Sequence, residues 1–142
     1  MLSMLALPLW HKVDGLTHQE LTLTAFGFHA AAMPKPASTG PVWIIGVLAL
    51  ASAVLAAYEI FQFRNRFTQL KLGALNIMFI IATFGAAFYF SNQGEMLLNP
   101  KLEGKFEPAF YLPTLALMLN LLATRFIRRD EQFVRRNYDR LR

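Results

Sequence analysis

The sequence predicts an all-α integral membrane fold. It reads as a four-helix transmembrane bundle, its first helix incomplete at the N-terminus, with an amphipathic basic C-terminal helix on the cytoplasmic side. Three observations predict this. Of 142 residues, 55% are hydrophobic and 13% aromatic, more apolar surface than a soluble domain of this length can hide. Three apolar runs reach the roughly 20 residues that a helix needs to cross a bilayer. The fourteen Lys and Arg residues are unevenly spread, with three at 64–71 and seven at 125–142.

The opening "MLSMLALPLW" is apolar but only about half a span long, and it lacks the basic start of a signal peptide. Residues 1–10 are expected to be the exit half of a first transmembrane helix ending at Pro8 and Trp10, with Met1 a late start or the helix beginning in residues upstream of these. A short segment lying at the interface is the alternative. Residues 41–63, 70–90 and 108–127 are the three complete spans. Trp43, Tyr58, Tyr89, Phe90, Phe110 and Tyr111 stand near their ends, where aromatic rings favour the headgroup level. Pro41 and Pro108 suit a first helical turn. Pro113 either extends an irregular entry or kinks the third run.

Loop charges orient the chain. The 64–71 loop has Arg64, Arg66 and Lys71 and no acid, and the arginine-rich tail 128–142 lies on the same side because two spans intervene. In the opposite loops, 11–40 and 91–107, acids balance or outweigh the lysines. The basic side is therefore cytoplasmic, giving one multi-pass membrane domain with a cytoplasmic C-terminus. In the first outside loop Leu21 and Leu23 alternate with Thr22 and Thr24, which predicts a short strand. A small extracytoplasmic cap, such as a two-stranded pairing of the two loops, is compatible with that pattern.

Within the spans, small residues recur on single helix faces: Gly46, Ala49, Ala53 and Ala57, then Ala82 and Ala86, then Ala116, Asn120 and Ala123 or Thr124. Such seams let backbones approach where lipid offers no hydrophobic drive. Four polar residues, Glu59, Asn76, Asn120 and Arg125, lie within about 12 Å of the cytoplasmic helix ends. The expected pairs are Glu59 with Arg125 or Lys71, and Asn76 with Asn120. Interhelical hydrogen bonding is the structural reading of this cluster. A proton or ion path is the alternative, and the outer half of the spans has no matching relay for it.

Catalytic chemistry has no foothold in the sequence. Without cysteine there is no disulfide, thiolate ligand or cysteine nucleophile. His11, His18 and His29 all fall in the first outside loop, so no histidine stands within a span to ligate haem. His18, Glu20 and His29 match no zinc spacing. No glycine-rich phosphate loop and no serine-nucleophile context is present. Neither enzyme activity, cofactor nor metal is expected.

Read as a helix, the tail has an apolar stripe of Ile127, Val134, Tyr138 and Leu141 and a basic remainder of Arg128, Arg129, Arg135, Arg136 and Arg140. Glu131 precedes Arg135 by four, the favourable order for a helical ion pair. Asp139 is within reach of Arg135, Arg136 and Arg142, and Asp130 sits among the arginines. No aromatic stacking platform or reader module accompanies these charges, so nucleic acid is not an expected partner.

The stretch "RFIRRDEQFVRRNYDRLR", with Arg128, Arg129, Asp130, Glu131, Val134 and Arg135 leading to a final Asp139, Arg140, Leu141 and Arg142, resembles the closing motif of a bacterial membrane family known as domain of unknown function 4293. "RNRFTQLKLGALNIM" is similar to that family's basic loop running into a Leu-Asn pair, here Leu75 and Asn76. The resemblance implies a bacterial inner membrane, four transmembrane helices and a basic, polar N-terminus that this sequence lacks. It implies no activity. The functional expectation is a small non-catalytic accessory or scaffold subunit in contact with the lipid bilayer. Its tail would dock on anionic headgroups or on another membrane or cytoplasmic protein. A transporter or ion-coupling component built on the polar cluster is the alternative.

Overall fold

The computed structural model describes residues 1–15, 19–31, 40–62, 65–97 and 103–140. A 3-10 turn at Leu2–Leu5 leads into strands β1 (Trp10–Asp14), β2 (Gln19–Leu23) and β3 (Phe28–Ala31). Helices α1 (Ile44–Phe61) and α2 (Arg66–Leu97) follow. After them come strand β4 (Lys105–Phe106), a second 3-10 turn (Pro108–Tyr111) and helix α3 (Leu112–Arg140).

This corrects the all-α, four-helix expectation: the described chain has three long helices and a four-stranded antiparallel sheet in the order β3-β2-β1-β4. The opening run supplies a 3-10 turn with a fully buried Met4, then a strand. β1 carries no strand signal in its sequence, for a physical reason. Its period-2 alternation buries Trp10, Lys12 and Asp14 and leaves Val13 exposed, so the inward face does not read as hydrophobic. β2 follows the ordinary rule, with Leu21 and Leu23 buried as its alternation predicts. Register pairs Trp10 with Leu23 and with Phe106, and Leu21 with Ala30.

The three helices are long and apolar enough to cross a membrane. α2, at 32 residues, is about 48 Å long against a hydrocarbon core of about 30 Å. It begins behind Asn65, whose Oδ1 accepts the Thr68 amide at 3.3 Å, a side-chain N-cap. It also runs seven residues past the expected end at 90, because the last turns pack on the sheet. There a Cβ on Gly94 would meet the Trp10 ring at 2.8 Å, and the buried Lys12 ammonium donates to the Glu95 carbonyl at 3.1 Å. A cation among the last carbonyls of a helix satisfies groups that have no intrahelical partner.

The hydrophobic core lies where sheet meets helices, not along the spans. Met4, Leu9, Trp10, Leu23, Ile45, Ala49, Ala87, Phe90 and Phe110 form it. Gly46 admits the 24–27 turn onto α1: its amide donates to the Ala25 carbonyl at 2.8 Å, and a Cβ would strike the Phe26 ring. Pro113 falls in the first turn of α3 behind the 3-10 entry, so it extends that entry. α2 packs on both α1 and α3, whereas α1 and α3 meet only sparsely.

Candidate polar groove between the helices

Because α1 and α3 are held apart by α2, a groove of about 720 Å³ runs between them. Its walls are mainly apolar, with Ala53, Ala56 and Ala57 on α1 and Ala116 and Ala123 on α3, and Met1, Leu2 and Ser3 line it too. Ser52, Glu59, Gln69, Asn76 and Asn120 punctuate it. Three of the four polar residues expected in the spans therefore share one cavity. Arg125 does not join them. It is exposed and lines a separate groove between α2 and α3, with Thr124, Arg128, Arg129 and Gln132.

The pairings differ from those the sequence suggests. Asn76, 2% exposed, accepts the Ser52 hydroxyl proton at 2.7 Å, linking α2 to α1. Asn120 is left with its Oδ1 enclosed and without a partner among the described residues. Lys71 lies 4.5 Å above the Phe67 ring, a cation–π contact within its own helix. Glu59 is 8% exposed, and no described side chain pairs with its carboxylate. Its neighbours are set by Gly73: a Cβ there would lie 3.0 Å from Glu59 Oε1 and 3.3 Å from Thr124 Oγ1. The absent side chain lets an α1 carboxylate and an α3 hydroxyl both come close to the α2 backbone. Thr124 Oγ1 is enclosed and also unpartnered among the described residues.

Gly73 was not singled out from the sequence, and Thr124 only as a position on a small-residue face. A signal for Thr124 is present, since it stands four residues from Asn120, a spacing that places two polar groups on one helix face. Of the small-residue faces, Ala49 is buried, but Gly46 seats the cap turn and Ala82 is exposed. The buried face of α2 is instead Gly73, Asn76, Ile80, Thr83, Ala87, Ser91 and Gly94. The hydroxyls of Thr83 and Ser91 donate to their own helix at the Phe79 and Ala87 carbonyls.

In the tail, α3 continues without interruption to Arg140. Arg128, Arg129, Asp130 and Arg136 are exposed, and Glu131 is half-buried. Arg142 lies outside the described residues, as do the side chains of Arg135, Asp139 and Arg140. Arg64, in the basic loop, and His18 lie outside them too. His11 and His29 sit on strands opposite Thr22, and the described residues contain no group of three or more metal-ligating side chains.

No curated protein and no solved structure is significantly similar to the chain. A family model does match, over residues 1–141. With that match spanning nearly the whole chain, the protein belongs to the family described as a domain of unknown function (DUF4293).

Proposed function

We propose that the protein is a non-catalytic component of a bacterial inner membrane, which it crosses with the three described helices. Its sheet caps the outer face, and the basic end of α3 projects into the cytoplasm as a docking element for a larger assembly. One observation carries the reading: α3 is a single helix of 29 residues, about 43 Å long. A span uses about 30 Å of it, so the arginine-rich end is held at a fixed angle beyond the bilayer. Orientation alone requires only a few positive charges.

The exposed surface supports the membrane location. Val54, Ile60, Met78, Ile81, Leu115, Met118 and Leu119 are each more than half exposed, a breadth of open apolar surface that suits lipid contact. Trp43, Tyr89 and Tyr111 stand exposed near the sheet end of the helices, where they suit one headgroup belt. A transport role has Glu59 in its favour. Against it, Thr83 and Ser91, which lie on α2 between the groove and the sheet end, spend their hydroxyl protons on their own helix, so neither offers a proton to a relay.

Purification in mild detergent with native mass spectrometry, with and without residues 128–142, tests the proposal. A partner that co-purifies only with the intact tail is the expected result. A monodisperse monomer with no tail-dependent partner overturns the docking role. Proteoliposome flux that Glu59→Gln abolishes would favour transport instead.

A further inference from the structure

We infer that the groove between α2 and α3 is a binding site for an anionic glycerophospholipid of the cytoplasmic leaflet, its phosphate held by Arg125, Arg128 and Arg129. These three stand at i, i+3 and i+4 on α3, and Gln132 at i+7 continues the same face. Three permanent cations on one helix face repel one another. No carboxylate is among the described residues that line the groove. Asp130 and Glu131 are adjacent in sequence, yet helical rotation turns both away from this face and neither lines it. What completes the groove is therefore an anion. Guanidinium groups present paired N–H donors that match the oxygens of a phosphate.

Depth identifies what carries the phosphate. A Cβ on Gly73 would lie 3.3 Å from Thr124 Oγ1, which sets these two residues at one level. Gly73 is seven residues into α2, whose first residue is Arg66, and so lies about 10 Å below that helix end. Arg125 therefore stands at the depth of the upper acyl chains, and Arg128, Arg129 and Gln132 climb from it to headgroup level. Below the arginines the floor is apolar, with Ala74 and Ile77 on α2 and Leu121 on α3. Leu121 is half exposed, so the floor opens onto the lipid-facing surface. The cavity, about 560 Å³, thus has cations above and a hydrocarbon contact beneath. A free phosphate would leave the floor unused, and a zwitterionic headgroup would bring its own ammonium among the arginines. Basic pockets between spanning helices on the cytoplasmic side suit anionic headgroups for this reason.

The inference rests on the membrane location proposed above. Membrane partition of the same preparation scores that location, whereas the lipid panel fails only the groove. Native mass spectrometry titrates the full chain in mild detergent with phosphatidylglycerol, phosphatidylethanolamine and phosphatidylcholine of matched chains, and with inorganic phosphate as competitor. One bound phosphatidylglycerol is expected, preferred over either zwitterionic lipid by about tenfold and not displaced by an equal concentration of phosphate. Arg125→Gln combined with Arg129→Gln should erase the preference while helicity by circular dichroism is unchanged. Lys71→Gln should keep it, since Lys71 is an exposed cation of α2 that does not line the groove. Ala74→Phe leaves every charge in place and fills the floor, so it should erase the preference as well. Equal binding of the three lipids by the wild type overturns the inference whether or not any variant folds. So does an undiminished preference in Ala74→Phe, which would assign the effect to the charge of α3 alone. Displacement by inorganic phosphate overturns it by assigning the groove to a free anion, and a bound polypeptide that excludes the lipid does so by assigning the arginines to a protein.

Discussion

At the scale of single residues, the molecule depends on close approaches that one added methyl group disturbs. Gly94 holds α2 against the Trp10 ring, which is rigid and fully buried and so cannot swing aside. Gly94→Ala should cost about 1–3 kcal/mol through overpacking, read as a lowered midpoint in thermal unfolding in detergent. The Ser52–Asn76 bond is the polar counterpart deeper in the helices. Ser52→Ala removes the donor and leaves the Asn76 oxygen enclosed, and about 0.6–2 kcal/mol is expected for an interhelical bond in lipid. Denaturation in mixed micelles measures it. A Ser52→Thr variant, which keeps the hydroxyl, should recover much of the loss.

At the scale of elements, the sheet and the far end of α2 stabilise one another. Lys12 projects from β1 onto the Glu95 carbonyl, and the Glu95 carboxylate in turn accepts the Gly104 amide at 3.3 Å, beside β4. Strand, helix terminus and the second sheet connection thus close on a single turn of backbone. Lys12→Met keeps the length of the side chain but removes the charged donor. It should cost about 1.5–3 kcal/mol, the range for hydrogen bonds from charged groups. Hydrogen exchange should show the effect first in amides 91–97, with the middle of α2 unchanged. Exchange that rises uniformly along the helix would show that Lys12 does not act locally.

At the scale of the whole molecule, the chain is two environments joined end to end. The sheet end is packed as water-soluble proteins are, around Trp10, Phe90 and Phe110 with Phe84 and Phe106 stacked nearby. The helical part is thinly packed and open on its sides, as lipid-facing helices are. The absence of cysteine makes the orientation directly measurable. A single cysteine at Val13, exposed on the sheet, should react with an impermeant maleimide in intact cells. One at Arg136, exposed on α3, should react only after lysis. The reverse pattern would invert the topology and place the basic helix outside.

How much of this was legible depends on range. The three long helices, the helical character of the basic tail, and the buried faces of Leu21 and Leu23 follow from composition and local periodicity, because each is specified within a few turns of chain, whereas the unbroken continuation of α3 into that tail does not. The depth of Glu59, Asn76 and Asn120 was equally visible, since helical rise converts position into height. The remainder waited on tertiary contacts. β1 reads as no strand at all, because its inward face carries Lys12 and Asp14, and Lys12 is accommodated only where the end of α2 supplies the Glu95 carbonyl. The extension of α2 to Leu97 needs Trp10 and Lys12, more than eighty residues away in sequence. The groove exists because α2 stands between α1 and α3, a matter of packing that no periodicity encodes. Composition and local pattern were enough to say what is long and apolar and where the polar residues fall. Which polar atoms find partners was settled by folding: among the described residues Ser52 meets Asn76, while the Asn120 and Thr124 oxygens are enclosed without a partner, because hydrogen bonds between helices depend on distances that the tertiary packing sets.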